Sequence, residues 1–351
     1  MGLAYLLTDI ARSAIQQDSQ QEQAWPHPQP HLQSYAQQSA WYAFQQHLPA
    51  PLRFCDDYHP REESWNWNGL PIHLDRFENP QAPIKVILVH SLAINGRHLS
   101  LIAGGPLWRL GFESLALDLP GFGMTPLAPQ HPLLYADWVQ LVSDLIDHEL
   151  ARDGRPIVLL GHCLGGLLTY HATQLNGQVS GIIGTAFLDP SIARVRRKTA
   201  SHWLMGTLGA TLAPLAASSR LGNRRIPISL TIDLQQLTNH QEALAVLLAD
   251  RSAAGNSLSI QFLASLLQYE PPFAPEDFTL CPLLLAQPAA DPWTPLHLSE
   301  RFMDRLLKVR KETVLLPGAG HLPLELDALT CMHQAVADFI RRLTPRRPPA
   351  Y

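Results

Sequence analysis

At 351 residues the chain is long enough for one large α/β domain carrying an insertion, or for two domains. Hydrophobic residues make up 46% and charged residues 16%, which predicts a substantial buried core. A formal charge of −4, with no basic stripe interleaved by aromatics, excludes a general attraction to nucleic acid.

Residues 1–60 read as a helical, Gln/Pro-rich extension. Leu3, Leu7, Ile10 and Ala14 recur at helical spacing, a Gln-rich segment interrupted by proline runs from Gln16 to Gln33, and a second helix is expected from Ser34 to His47, before Pro49 and Pro51. His27 and His31 flank prolines and read as linker residues, not metal ligands. The opening MGLAYLLTDIARSAIQQ has neither a basic region nor a small-residue cleavage site, and Leu6 stands where a myristoylation signal wants serine or threonine. A cytoplasmic location is therefore expected. No run reaches the ~20 apolar residues of a spanning helix, so no membrane span is expected and only peripheral lipid contact stays open.

From Ser64 to Arg76 aromatic and apolar residues alternate around Asn68-Gly69, a pair that favours a tight hairpin. Ile84 to Val89 is a compact β-branched run suited to a strand buried on both faces, followed by a helix over His98 to Leu110. Glu113 to Leu117 is the next strand, Trp138 to Ala151 a helix, Ile157 to Leu160 a strand, and Ile182 to Leu188 a further strand. Helical patterns dominate residues 191–280, at His202 to Leu215, Asp233 to Leu237, Gln241 to Asp250 and Ser257 to Leu267. Alternation resumes with strands at Pro282 to Ala286 and Thr313 to Leu316, helices at Ser299 to Leu307 and Ala328 to Leu343, and a flexible tail at 344–351. Such alternation predicts a mostly parallel sheet with helices on both faces, whose ligands bind beyond the carboxyl ends of the strands.

The stretch Pro156 to His171, PIVLLGHCLGGLLTYH, reads as strand, sharp turn and helix. Its Gly161-His162-Cys163-Leu164-Gly165 has the spacing of a nucleophile elbow, with cysteine where serine is usual. Cys163 would sit at a helix N-terminus, where the dipole and free N–H groups favour a thiolate. The same five residues also fit a glycine-rich turn holding an inert cysteine, so context decides. Cys55, Cys163, Cys281 and Cys331 are far apart with no C-x-x-C pair, which argues against a disulfide framework or a zinc site.

A thiol nucleophile needs a base, and the base needs an orienting group. Gly318-Ala319-Gly320-His321 follows one late strand, and Asp291-Pro292-Trp293-Thr294-Pro295 follows another. The chain order is therefore nucleophile, acid, histidine: Cys163, Asp291, His321. Asp189 also ends a strand and is a rival acid, although Asp291 is preferred; Asp118 reads as a structural carboxylate in a turn.

With the elbow GHCLGG, the turn DLPGFG, the acid loop ADPWTP and the histidine loop GAGHLPLE in this order, the chain resembles the α/β-hydrolase superfamily of esterases and lysophospholipases, from about Trp65 to Leu343. The resemblance implies a core built from residues 61–190 and 281–343, with a helical cap over 191–280 inserted after the sixth strand. It also implies an oxyanion hole made by the backbone N–H groups of Leu164 and Leu92. Ser91 departs from the pattern, because glycine is usual there. His90, Ser91, His162, Trp203 and Trp293 are the remaining candidates for substrate contact, and no cofactor or metal is implied.

Three readings follow. One is a hydrolase of carboxylic esters or thioesters working through an acyl-Cys163. Another is an acyltransferase or thioesterase that exploits the reactivity of a thioester; polyhydroxyalkanoate synthases share the cysteine elbow, but the resemblance to them stops there. The third is a weakly active or engineered variant that binds or traps an acyl ligand. Trp203 to Ala217, nearly free of charge, together with Phe262, Leu263, Leu266 and Leu267, favours a small-molecule or lipid-like substrate with a hydrophobic acyl chain.

Overall fold

The computed structural model describes residues 34–128, 132–201 and 221–343. The helix expected at Leu3 to Ala14, the Gln-rich segment, the apolar stretch Trp203 to Ala217 and the tail 344–351 lie outside the described residues.

An eight-stranded sheet organises the molecule: β1 (Arg61–Trp67), β2 (Leu70–Phe77), β3 (Lys85–Val89), β4 (Glu113–Leu117), β5 (Ile157–Gly161), β6 (Gly181–Gly184), β9 (Leu283–Pro288) and β10 (Lys311–Leu316). Their spatial order is β1-β2-β4-β3-β5-β6-β9-β10. Only β2 runs against its neighbours, pairing antiparallel with both β1 and β4. The β1–β2 hairpin turns at Asn68-Gly69, where both residues take positive φ (51° and 86°), as a tight hairpin with this pair requires.

Strands β3 to β6 are buried along their whole length, which is why their apolar residues run without alternation, while Lys85 and Glu113 at the starts of β3 and β4 are buried in ion pairs. Their carboxyl ends are level: Val89 pairs with Leu117 and Gly161, and Gly161 with Gly184. The loops that leave β3, β5, β9 and β10 therefore open on one edge. β6 ends four residues earlier than its apolar run predicts. Thr185 leaves the ladder, its N–H donating to the Gly161 carbonyl and its hydroxyl turned to the elbow.

The helix expected after β3 is real but broken into Gly96–Leu99, a π-helical turn at Ser100–Gly104, and Gly105–Arg109. The cause is local. Pro106 has no N–H for the Ile102 carbonyl one turn back, and His333 donates its Nε2–H to that carbonyl instead, at 2.6 Å.

Between β6 and β9 the described chain forms the helices Ala193–Thr199, Ile228–Thr231, Gln241–Ala249 and Ile260–Leu267, and an antiparallel pair, β7 (Arg225–Pro227) with β8 (Ser257–Ser259). The helix expected from Ser257 thus starts three residues late. Ser259 caps it, accepting from the Phe262 N–H at 3.1 Å, and the residues before the cap are drawn into a strand by pairing with β7. No helix among the described residues is long and apolar enough to cross a membrane.

From Ser34 onward the N-terminal segment packs on the core through buried charge. Tyr35 donates its hydroxyl proton to Asp118, and its backbone N–H to Glu62. Arg97 grips Asp75 with two bonds of 2.6 and 2.8 Å and lies 4.3 Å from the Tyr35 ring centre. His73 contacts both Glu62 and Asp118; burial opposes its charge, but these carboxylates outweigh it and hold the imidazole up at about 10.

Replacing Arg97 with methionine removes the main partner of a fully buried carboxylate. Urea unfolding is expected to show a loss of roughly 3–5 kcal/mol, recovered in part when Asp75→Asn is added. A loss below ~1 kcal/mol would mean that this network does not secure the N-terminal segment.

Candidate active site

The elbow is set by close backbone approach. A Cβ on Gly161 would stand 2.2 Å from the Gly165 carbonyl oxygen, and one on Gly165 would stand 2.2 Å from that of Val89. With both absent, the helix Leu164–Asn176 starts directly against the ends of β5 and β3. Cys163 joins strand to helix at φ 54° and ψ −119°, a strained conformation for a residue with a side chain. Its side chain is buried, and its N–H points at the Thr185 hydroxyl at 3.4 Å.

Loops after β9 and β10 bring acid and base together. Asp291 Oδ1 accepts from the backbone N–H groups of Trp293 (2.8 Å) and Thr294 (2.9 Å), and Oδ2 accepts from His321 Nδ1 at 2.8 Å. The Thr294 hydroxyl also donates to Oδ2 and sits 3.0 Å from His321 Nδ1. Burial would raise the Asp291 carboxyl, yet the His321 charge and these bonds overcome it and hold it down at about 2.

His321 is itself fully buried, which disfavours the imidazolium. The Cys163 sulfur, then Asp291, outweigh that penalty and raise it to about 10. With Nδ1 committed to Asp291, the nitrogen left over is Nε2, buried and without a hydrogen-bond partner. A nitrogen so placed can take a proton from a thiol and pass it on.

The N–H groups of Leu164 and Leu92 donate to no acceptor among the described residues. Ser91 takes no positive φ, so the absence of glycine there imposes no backbone strain.

A family model described as the alpha/beta hydrolase family matches residues 86–339, a span that includes the elbow, the acid loop and the histidine loop. The chain belongs to the alpha/beta hydrolase family. Solved structures agree on the fold of this hydrolase. A soluble variant of monoglyceride lipase from Saccharomyces cerevisiae, in complex with a substrate analog, is 19% identical over 85% of this chain and 99% of that one, with a TM-score of 0.66. Monoacylglycerol lipase from Paleococcus ferrophilus is 19% identical over 78% and 99%, with a TM-score of 0.54. The alpha/beta hydrolase GrgF from Penicillium sp. sh18 is 17% identical over 81% and 98%, with a TM-score of 0.60. No curated protein matches the chain.

The other sequence candidates fall out differently in this hydrolase. His90 has both ring nitrogens engaged by backbone: Nε2 accepts from the Leu119 N–H and Nδ1 donates to the Ser91 carbonyl, so nothing remains for a substrate. His162 bonds the Thr185 hydroxyl through Nδ1 at 2.8 Å, its ring lies 5.0 Å from that of His321, and its Nε2 is buried without a partner. Burial, then the neighbouring His321, pushes its pKa well below the ordinary value, so it stays neutral. The Trp293 ring stands edge-on to His321 at 4.6 Å. Trp203 is outside the described residues. Asp118 is the structural carboxylate expected, accepting from Tyr35, Gly96 and Met124. Asp189 accepts from the Ser191 N–H and makes no bond to His321.

Sequence reasoning missed Thr294 and Thr185. Thr294 was legible in principle, because a hydroxyl three residues after Asp291 in a proline-flanked turn can fold back on the carboxylate. Thr185 was read as part of a strand. It also missed what covers the histidine loop: the Leu322 N–H donates to the Leu237 carbonyl at 2.8 Å, and a Cβ on Gly320 would meet Asn239 at 2.8 Å.

Among the described residues, two side-chain groups have metal-ligand atoms within 4.8 Å of one another: Glu62, His73 and Asp75, and His47, His240 and Glu242. In the first group Arg97 already occupies Asp75, and in the second His240 Nδ1 accepts from the Ala243 N–H as a helix cap. Neither includes a residue of the elbow, acid or histidine loops.

Proposed function

We propose that this hydrolase is an acyl-transfer enzyme acting on carboxylic esters or thioesters, with Cys163 as nucleophile, His321 as base and Asp291 as the group that orients it. In this reading residues 61–190 and 281–343 form the catalytic core and 191–280 form a cap that contributes to the acyl site. The observation that carries it is the chain of contacts from Asp291 through Nδ1 of His321 to a free, buried Nε2 beside the sulfur at the elbow.

With the sulfur's proton held on His321 Nε2, sulfur attacks the carbonyl carbon, and the N–H groups of Leu164 and Leu92 hold the oxyanion. The C–S bond forms and the bond to the leaving group breaks, His321 returning the proton to the departing oxygen or sulfur. Water, deprotonated by the same imidazole, then releases the acid and restores the thiol. Amines, thiols and alcohols also attack thioesters, so transfer to one of these is the second reading, favoured by the sulfur itself.

A hydrophobic acyl group is supported by the helix Ile260–Leu267, whose Phe262 is buried while Leu263 and Leu266 pack partly exposed against the core. Intact-mass measurement after a pulse of p-nitrophenyl octanoate is expected to show one octanoyl adduct on the elbow peptide, absent from Cys163→Ala. The octanoyl ester is expected to exceed the acetyl ester at least tenfold in kcat/KM. An adduct that persists in the alanine variant would remove Cys163 from the mechanism; a clear preference for acetyl would remove the hydrophobic acyl site.

A further inference from the structure

A cavity of about 310 Å³ lies between the loop that follows β4 and the segment inserted before β9. Phe122, Leu127, Leu133, Leu258 and Phe262 wall it, and Arg225 is in its lining. None of Cys163, Asp291 and His321 touches it.

Arg225 is an exposed residue of this lining. Its Nη2 donates to the Ser257 carbonyl and to Asn256 Oδ1, both neutral acceptors, and no carboxylate pairs with it among the described residues. The surrounding sequence deepens the imbalance: seven Arg and Lys residues and no Asp or Glu lie between Pro190 and Ile232, in a chain whose net charge is −4. Some surface cations elsewhere do find partners, as Arg305 does with Glu276, Lys308 with Asp277 and Arg342 with Glu312. Among the described residues of the basic segment there is no ion pair.

We propose that this cavity binds a hydrocarbon chain ending in a carboxylate, with Arg225 holding the carboxylate. The apolar walls take the chain, and the planar guanidinium matches a carboxylate with paired N–H donors. A volume at the low end of the ~300–1,000 Å³ typical of ligand pockets selects a chain of medium length. The site goes beyond the acyl-transfer reading and stands without it, because a free carboxylate has no leaving group and cannot acylate Cys163.

Calorimetric titration of the full chain with sodium decanoate, kept below its micelle concentration, tests this. One equivalent is expected to bind, at least ~tenfold tighter than 1-decanol, which has the same chain without the charge. Acetate, the head group alone, is expected not to compete. Arg225→Gln is expected to weaken decanoate by at least ~tenfold and leave decanol unchanged, with Arg225→Lys between the two. Leu258→Trp, which fills the cavity, is expected to weaken both ligands. Equal binding of decanoate by wild type and Arg225→Gln, equal affinity for decanoate and decanol, or titration without saturation would each overturn the proposal. None of these outcomes bears on the triad, which is read from acylation.

Discussion

His321→Ala is expected to lower turnover of p-nitrophenyl octanoate by about four orders of magnitude. The magnitude follows from the number of steps that need the imidazole. It holds the sulfur's proton as sulfur attacks, returns it to the leaving group and activates water for deacylation, and removing one member of a serine triad costs 10⁴–10⁶ or more. A thiol is the better nucleophile unaided, so the lower part of that range applies and acylation suffers less than deacylation. Single-turnover kinetics are expected to show slow formation of the acyl adduct followed by almost no release. Unimpaired turnover in the alanine variant would overturn the triad assignment.

Asp291→Asn is expected to cost about 10⁴ in kcat, nearly as much as losing the histidine, although the side chain keeps its shape. The carboxylate fixes the tautomer by accepting from Nδ1–H. An amide can present its NH₂ group there instead, which leaves Nδ1 bare and puts the proton on Nε2, the nitrogen that has to accept one from Cys163. Asp189→Asn, the change at the rival acid, is expected to be silent.

A second measurement separates this electrostatic role from a structural one. The folded carboxyl is held at about 2 against an ordinary value of 3.8, a gap corresponding to about 2 kcal/mol of stability. Because the pKa is lowered in the folded state, that contribution is complete above the ordinary value and is lost as pH falls towards 2. The dependence of stability on pH between about 4 and 2 is expected to flatten in Asp291→Asn. An unchanged slope would show that other carboxylates carry the acid transition.

Much of this was readable from residues in isolation, for a physical reason. The apolar residues of β3 to β6 run without alternation because both faces of each strand are covered, and the Asn68-Gly69 pair names its hairpin because few other pairs reach that backbone at low cost. Gly161 and Gly165 mark the elbow for the same kind of reason: a single Cβ at either would collide with backbone. Reading failed where a distant partner takes over a local preference. Thr185 left its strand to serve the elbow, Ser257 to Ser259 became a strand because β7 lies alongside, and the helix after β3 widened at Pro106 because His333, far along the chain, supplies the missing donor.

The sequence alone therefore determined the class of fold, the order of its strands along the chain, and three side chains at loop positions suited to nucleophile, acid and base, since short-range sterics and apolar periodicity fix these. Tertiary structure alone decided which acid faces His321, that Thr294 braces the pair, that His90 is spent on backbone, that Asn239 lies against the histidine loop and that Arg225 lines a cavity with Phe122, Leu258 and Phe262. Such facts are distances between residues dozens of positions apart. They come into being when the sheet brings its loops to one edge, and no local pattern encodes them.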